Sequence, residues 1–399
     1  MTTKKKILVY WYYHRKDLLI PFIKLSHQFE WHFILYRSKA EETQLDFPFS
    51  IHYWDDYYSP YNLLNDLKPK AVVLMELSNI YALSLNIASK YLGITTFILE
   101  HGLKLNYDYY INNQLKVKSS NTILNNEISK ISFTRKLQTL MFYFRCLKIR
   151  NFSNAFILFK YLKNILLIKT DKSIAEYKFN LRNADKYLLF SKQNLAYYQE
   201  RDGIQPEDAI FFGNPYLDDL ANISISKNKN EEGYYLLLDD GLLESFGIST
   251  KEKNTFLENL NNVAIEKKVA LYVKLHPADY GRKDLFSNEN IRYLDHVEPK
   301  ELFKNAIAIF ALSSTMALPL IPKGEVFLFR ILNNEIQEEL ERWNVPFLDF
   351  YSFESREVNP LNVQMNKQDA HNFIDQFLYI NDGQAVRRLG KILNNYTNN

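Results

Sequence analysis

The chain has 399 residues, 49 Lys and Arg against 46 Asp and Glu, and 47% hydrophobic residues. That length suits two domains with substantial cores, and a net charge of +3 speaks against a nucleic-acid binder with a basic face. The single cysteine, Cys146, excludes an intramolecular disulfide and indicates a reducing compartment, the cytoplasm. The opening MTTKKKILVYWYY lacks a cleavable leader pattern, and no apolar run reaches the roughly 18 residues of a membrane span.

In chain order, Lys6–Tyr12 reads as a β-branched and aromatic strand. A helix follows over Asp17–Gln28 and a strand over Trp31–Tyr36. Ala71–Met75 is apolar on both faces, as a buried parallel strand is. Ile80–Leu92 is an amphipathic helix stopped near Gly93, and Thr95–Leu99 is a strand running into Glu100-His101-Gly102. Lys130–Arg182 breaks the rhythm: it is helical in pattern, with twelve Lys or Arg against Asp171 and Glu176. Alternation resumes with strand Lys186–Phe190, helix Gln193–Arg201 and strand Ala209–Phe212, which ends in Gly213-Asn214-Pro215.

Leu220–Gly233 is polar and aperiodic and reads as an interdomain linker. A second set follows: strand Tyr234–Leu238, helix Lys251–Lys267, strands Ala270–Leu275 and Ile291–Leu294, helix Pro299–Asn305, strand Ala306–Phe310, helix Thr315–Ile321 and strand Val326–Arg330. Helices near Lys367–Leu378 and Gln384–Asn395 are expected to pack back across both domains. Strands alternating with helices predict an α/β fold on parallel sheets. The expected domains are 1–219, with the helical insertion at about 130–182, then 234–366, then the terminal helices 367–399.

In open α/β sheets ligands bind beyond the carboxyl ends of the strands. Four such places carry chemistry. Asp239-Asp240-Gly241 puts a carboxylate there that can take a proton from an attacking hydroxyl, although Asp-Gly is also an ordinary turn pair. Lys274-Leu275-His276-Pro277 holds an imidazole at a strand tip, where it can donate to a phosphate; the alternative is a surface His before a loop Pro. Ser313-Ser314-Thr315 opens the helix expected over Thr315–Ile321, either as an anion cradle or as a plain cap. Glu100-His101-Gly102 offers His101 as an acceptor contact, an alternative base or a structural His. Glu298 can accept from ribose hydroxyls or simply favour a helix N-terminus. Candidate acceptor-side residues are His101, Gly102 and His14; candidate donor-side residues are Gly241, Lys274, His276, Pro277, Glu298, Ser313, Ser314 and Thr315.

The succession Asp239-Asp240-Gly241, His276-Pro277 and Ser313-Ser314 resembles the acidic-acidic-Gly, His-Pro and Ser/Thr-pair motifs of bacterial sialyltransferases and polysialyltransferases. More loosely, it resembles those of capsule Kdo transferases. The resemblance covers roughly Tyr234–Arg330. It implies a GT-B fold of two facing Rossmann-like domains, an Asp of the first motif as general base, His276 acting on the CMP phosphate, and serines binding that phosphate. It also implies a cytidine donor, inversion at the anomeric carbon, no metal or other cofactor, and Glu298 near the donor ribose. His101-Gly102 and Gly213-Asn214-Pro215 are similar to segments of CDP-glycerol phosphotransferases. No Asp-x-Asp pair, the usual metal-bridging motif of the other common glycosyltransferase fold, occurs in the chain.

The function expected is transfer of an acidic sugar, sialic acid-like or Kdo-like, from a CMP-activated donor to a surface glycan or lipid-linked acceptor. The alternatives are a CDP-glycerol-type phosphotransferase or UDP-sugar glycosyltransferase, a nucleotide-sugar epimerase, and a non-catalytic nucleotide- or glycan-binding module. The basic insertion has three readings: an ordinary helical hairpin, a peripheral contact with the inner face of the membrane, or a grip on an anionic polysaccharide.

Overall fold

The structure is a computed structural model. It describes residues 4–11, 13, 16–35, 48–77, 80–104, 107, 141–142, 144–146, 156, 159–160, 163, 181–223, 233–241, 248–276, 290–294, 299–312, 314–331, 335–345, 347–353, 357–358 and 365–398. The chain divides into two compact units: Met1–Tyr216 with Ala385–Asn399, and Leu217–Gln384.

The first unit holds β1 (Lys5–Tyr10), β2 (Phe29–Leu35), β3 (Ser50–Tyr53), β4 (Ala71–Leu74), β5 (Thr95–Leu99), β6 (Lys186–Leu189) and β7 (Ala209–Phe211). They form one sheet in the order β3-β2-β1-β4-β5-β6-β7, with every pairing parallel. Because side chains alternate across a strand, Ile7, Val9, Phe33, Val73 and Phe97 fall in one core while Leu8, Ile34, Val72, Leu74 and Ile98 fall in another. Both faces are therefore covered, which is why these strands read as continuous apolar runs. Helix α1 (Ile20–Leu25) closes the first face. Helices α2 (Pro60–Leu67), α3 (Ile80–Tyr91) and α4 (Gln193–Asp202) close the second. Ser59 caps α2 by accepting the Asn62 N–H at 3.2 Å.

The second unit repeats the plan with β8 (Tyr234–Leu238), β9 (Ala270–Lys274), β10 (Ile291–Leu294), β11 (Ala306–Ala311), β12 (Val326–Arg330) and β13 (Phe347–Asp349). Their order is β10-β9-β8-β11-β12-β13, again all parallel. Helices α5 (Thr250–Glu266), α6 (Pro299–Lys304), α7 (Glu335–Glu341) and α8 (Lys367–Phe373) accompany them, α8 running into a π-type turn over Ile374–Leu378. Phe256 of α5 stacks on Phe350 at 4.3 Å and meets Phe329 edge-on at 4.9 Å, tying the helix to the sheet. The last helix, α9 (Ala385–Thr397), belongs to the first unit. Its Leu389 and Leu393 enter that core, and Arg388 donates to the Phe212 carbonyl at 2.7 Å.

Several expectations shift. The helix read over Asp17–Gln28 starts as a 3-10 turn at Lys16–Leu19, with Pro21 entering the first turn of α1. The second unit begins at Leu217, ahead of the polar tract, and Leu217, Leu220 and Ala221 are buried. The helix expected over Thr315–Ile321 is not formed. Two 3-10 turns, Thr315–Ala317 and Ile321–Lys323, stand in its place, because Pro319 has no N–H for the Thr315 carbonyl and Pro322 none for that of Leu318. Residues 224–232 and nearly all of 130–182 lie outside the described residues.

Candidate functional site

Each sheet reverses its strand order once, between β1 and β4 in the first unit and between β8 and β11 in the second. Crevices beyond the carboxyl ends of the strands at such points are where open α/β sheets bind ligands. In the second unit the register puts Leu238 of β8 opposite Lys274 of β9 and Ala311 of β11. The residues just beyond these strand ends are therefore Asp239-Asp240-Gly241, Leu275-His276 and Leu312 followed by Ser314-Thr315. Three of the sequence motifs meet at one switch point.

The two acids there differ. Asp239 continues the ladder, its N–H donating to the Lys274 carbonyl at 3.0 Å. Its carboxylate accepts from Lys253 Nζ at 2.8 Å, with the two side chains 0% and 1% exposed. Lys253 lies on α5 one turn before Phe256 and Leu257, on the helix's buried face. The Ser249–Glu252 capping box fixes the start of that helix. Asp239 is thus bound into the interior. Asp240 is 9% exposed and leads directly into Gly241.

Gly241 has φ +67°, and a Cβ there would lie 2.9 Å from His276 Nδ1 and 3.1 Å from its Cγ. The motif needs glycine twice over: for a left-handed backbone and for the imidazole packed against it. His276 is half-buried. The Lys274 ammonium donates to the Leu275 carbonyl at 2.9 Å, bracing the same turn. Tyr293 of β10 is close enough to feel the Asp239 charge; burial first, and that charge second, push its phenol up to about 12.

Ser314 and Thr315 are half-buried, and the Ser314 side chain makes no capping bond. Since Thr315 opens only a 3-10 turn, the anion-binding contribution expected from a helix dipole is withdrawn. Two hydroxyls beside the switch point remain. Gln337 of α7, which the sequence reading missed, ties the loops together. Its amide donates to the carbonyls of Leu312 (3.0 Å) and Phe329 (2.6 Å), and its oxygen accepts from the Ile331 N–H at 2.6 Å. Nothing in a short helix of mixed polarity marked it. Lys253 was legible in principle, as a lysine in register with Phe256, Leu257 and Leu260. Pro277, Glu298, Ser313 and His14 lie outside the described residues.

In the first unit Glu100 is the first residue beyond β5 and is fully buried. It accepts the Phe190 N–H at 2.7 Å. Burial drives its carboxyl up to about 8 against that hydrogen bond, one from Asn194 and the positive charge of Lys104. Asn194 donates to the Gly102 carbonyl at 3.2 Å and accepts the Lys104 N–H at 3.1 Å, fixing the loop. The His101 ring meets Trp11, the residue after β1, edge-on at 6.2 Å. His101 thus leans towards this unit's own switch point. Gly213, with φ +89°, and Asn214, whose side chain accepts the Tyr216 N–H at 3.0 Å, shape the turn after β7.

No protein-family model matches the chain, and no curated protein matches it. Solved structures do. A structure of the wall teichoic acid polymerase TagF is similar with a TM-score of 0.55 at 13% identity, over 99% of this chain and 90% of that one. The glycotransferase of kitacinnamycin gives 0.51 at 10% identity over 99% of both chains. The calicheamicin glycosyltransferase CalG4 gives 0.50 at 11% over 99% and 98%. With its two parallel, doubly wound sheets, the chain has the GT-B fold of glycosyltransferases.

Proposed function

We propose that the chain is an inverting, metal-independent glycosyltransferase that moves an acidic sugar from a CMP-activated donor to a surface glycan or lipid-linked acceptor. The observation that carries this reading is the convergence of Asp240-Gly241, His276 and Ser314-Thr315 on adjoining strand ends at the switch point of the second unit. In a single displacement the acceptor oxygen forms a bond to the anomeric carbon as the bond to the CMP phosphate oxygen breaks, its electron pair leaving with the phosphate. Asp240 takes the acceptor's proton. His276 donates to the departing phosphate, and the Ser314 and Thr315 hydroxyls bond it. Asp239 is engaged with Lys253, which leaves Asp240 the better placed of the two acids to act as base. An oxocarbenium-like transition state gains from a carboxylate nearby.

Ligands that bind the folded state raise its stability, so thermal shift against CMP, CDP, UDP and GDP tests the donor. Selective stabilisation by CMP is expected; selectivity for UDP or GDP overturns the reading. With a CMP-activated acidic sugar, Asp240→Asn should cut turnover by about 10²- to 10⁴-fold while CMP still stabilises the protein. Activity retained in that variant moves the base to Asp239 or His101. Turnover should survive a chelator. A second reading, a CDP-glycerol-type phosphotransferase, draws on His101-Gly102, on Gly213-Asn214-Pro215 and on the similarity to TagF, whose structure was obtained with a CDPG soak; CDP would then stabilise more than CMP.

A further inference from the structure

Phe156, Phe159, Lys160 and Lys163 are helical and all exposed, the two rings by 60% and 54%. Their spacing, i, i+3, i+4 and i+7, puts them on one face of the helix. In a helix packed on a core, phenylalanines face inward and lysines outward. Here both share the outward face, and the Lys160 ammonium lies 4.8 Å from the Phe156 ring centre. In a second helical turn Met141 and Phe144 are exposed, while Phe142 and Cys146, one turn apart, are buried; Arg145 turns to Tyr58, donating to its carbonyl at 2.8 Å with the guanidinium over its ring.

Charge indicates the occupant. Residues 130–182 carry twelve Lys or Arg against two acids. Two of the basic residues are engaged within the protein, Arg182 with Asp202 at 2.9 Å, both side chains buried, and Arg145 with the Tyr58 carbonyl at 2.8 Å, whereas Lys160 and Lys163 are exposed. Rings that enter the boundary between headgroups and acyl chains, with lysines reaching the phosphates beside them, suit a lipid surface of negative charge. A soluble polyanion would reward the lysines but not the rings. Among the described residues no helix is long and apolar enough to cross a membrane. We propose that the face bearing Phe156, Phe159, Lys160 and Lys163 docks the protein on an anionic bilayer. This goes beyond the donor chemistry and does not depend on it.

Flotation of the full chain with phosphatidylcholine vesicles, with and without phosphatidylglycerol, tests it. The chain should float with the anionic vesicles and be released by high salt. Phe156→Ala/Phe159→Ala and Lys160→Gln/Lys163→Gln should each weaken binding by about tenfold or more. All four positions are exposed, so the melting temperature and any stabilisation by nucleotide should match the parent's. Three results would overturn the proposal: no binding to anionic vesicles; undiminished binding by the phenylalanine variant, or its equal binding to a soluble anionic polysaccharide; or a self-associating parent whose phenylalanine variant is monomeric in sedimentation, which assigns the face to a second copy.

Discussion

Asp239 and Glu100 occupy matching places in the two units. Each is the first residue beyond a parallel strand flanked on both sides, and each continues the ladder: Asp239 to the Lys274 carbonyl at 3.0 Å, Glu100 to that of Leu188 at 3.1 Å. Both side chains are buried. Their partners make them opposite. Asp239 has a lysine ammonium at 2.8 Å, whereas Glu100 has an amide N–H at 2.7 Å and only more distant positive charge, and is pushed up to about 8. The same strand-end position thus yields an ion pair in one sheet and, at neutral pH, a largely protonated acid in the other. The electrostatics of a strand end are set by what the neighbouring elements bring to it.

The largest break in this comparison comes from removing the lysine. Lys253→Met strands the Asp239 carboxylate in the interior and should destabilise the protein by about 3–5 kcal/mol. Adding Asp239→Asn should recover most of that loss. A melting temperature within a degree or two of the parent for Lys253→Met alone would show that the carboxylate has another route to compensation.

A smaller effect sets the two glycines against each other. Gly241→Ala forces an alanine into φ +67° and onto His276 Nδ1, and should cost about 1–3 kcal/mol. Gly102→Ala meets nothing within 4 Å and lies outside the positive-φ glycines, so it should stay within about 0.5 kcal/mol of the parent. Denaturant unfolding of the two variants measures the difference. Equal losses would mean that the Glu-His-Gly turn is as constrained as the Asp-Asp-Gly turn.

The fold was legible because parallel strands buried on both faces leave uninterrupted apolar runs, as in AVVL, TTFIL and YYLLL. Their boundaries in the structure agree with the sequence to within a residue or two. The edge strands β3 (SIHY) and β13 (FLD) were missed, being too short and too mixed to show a period. The helix read over Thr315–Ile321 failed because Pro319 within it and Pro322 just after it lack the N–H that its hydrogen bonds need. Within the site, the motifs at strand ends could be found from the sequence because the α/β topology makes those positions special. What each side chain is bonded to could not. The division of labour between Asp239 and Asp240 depends on Lys253, fourteen residues on and on another element, and the loops at β11 and β12 depend on Gln337.

The last test concerns Glu100 and runs through pH. Its carboxyl is raised from an ordinary 4.5 to about 8, so between those values the folded chain holds a proton that the unfolded chain has released. The unfolded state then binds fewer protons, and stability falls as pH rises through that window, by up to about 1.4 kcal/mol per pH unit from this group. Below about pH 4.5 the contribution levels off, because both states are protonated. Glu100→Gln copies the neutral acid, and its carbonyl oxygen can still accept the Phe190 N–H. The variant should therefore match the parent near about pH 4 and exceed it progressively towards about pH 8. A gap in melting temperature that stays flat across that range would mean that Glu100 is ionised in the folded chain. The contrast with Asp239 would then be one of partner rather than of protonation.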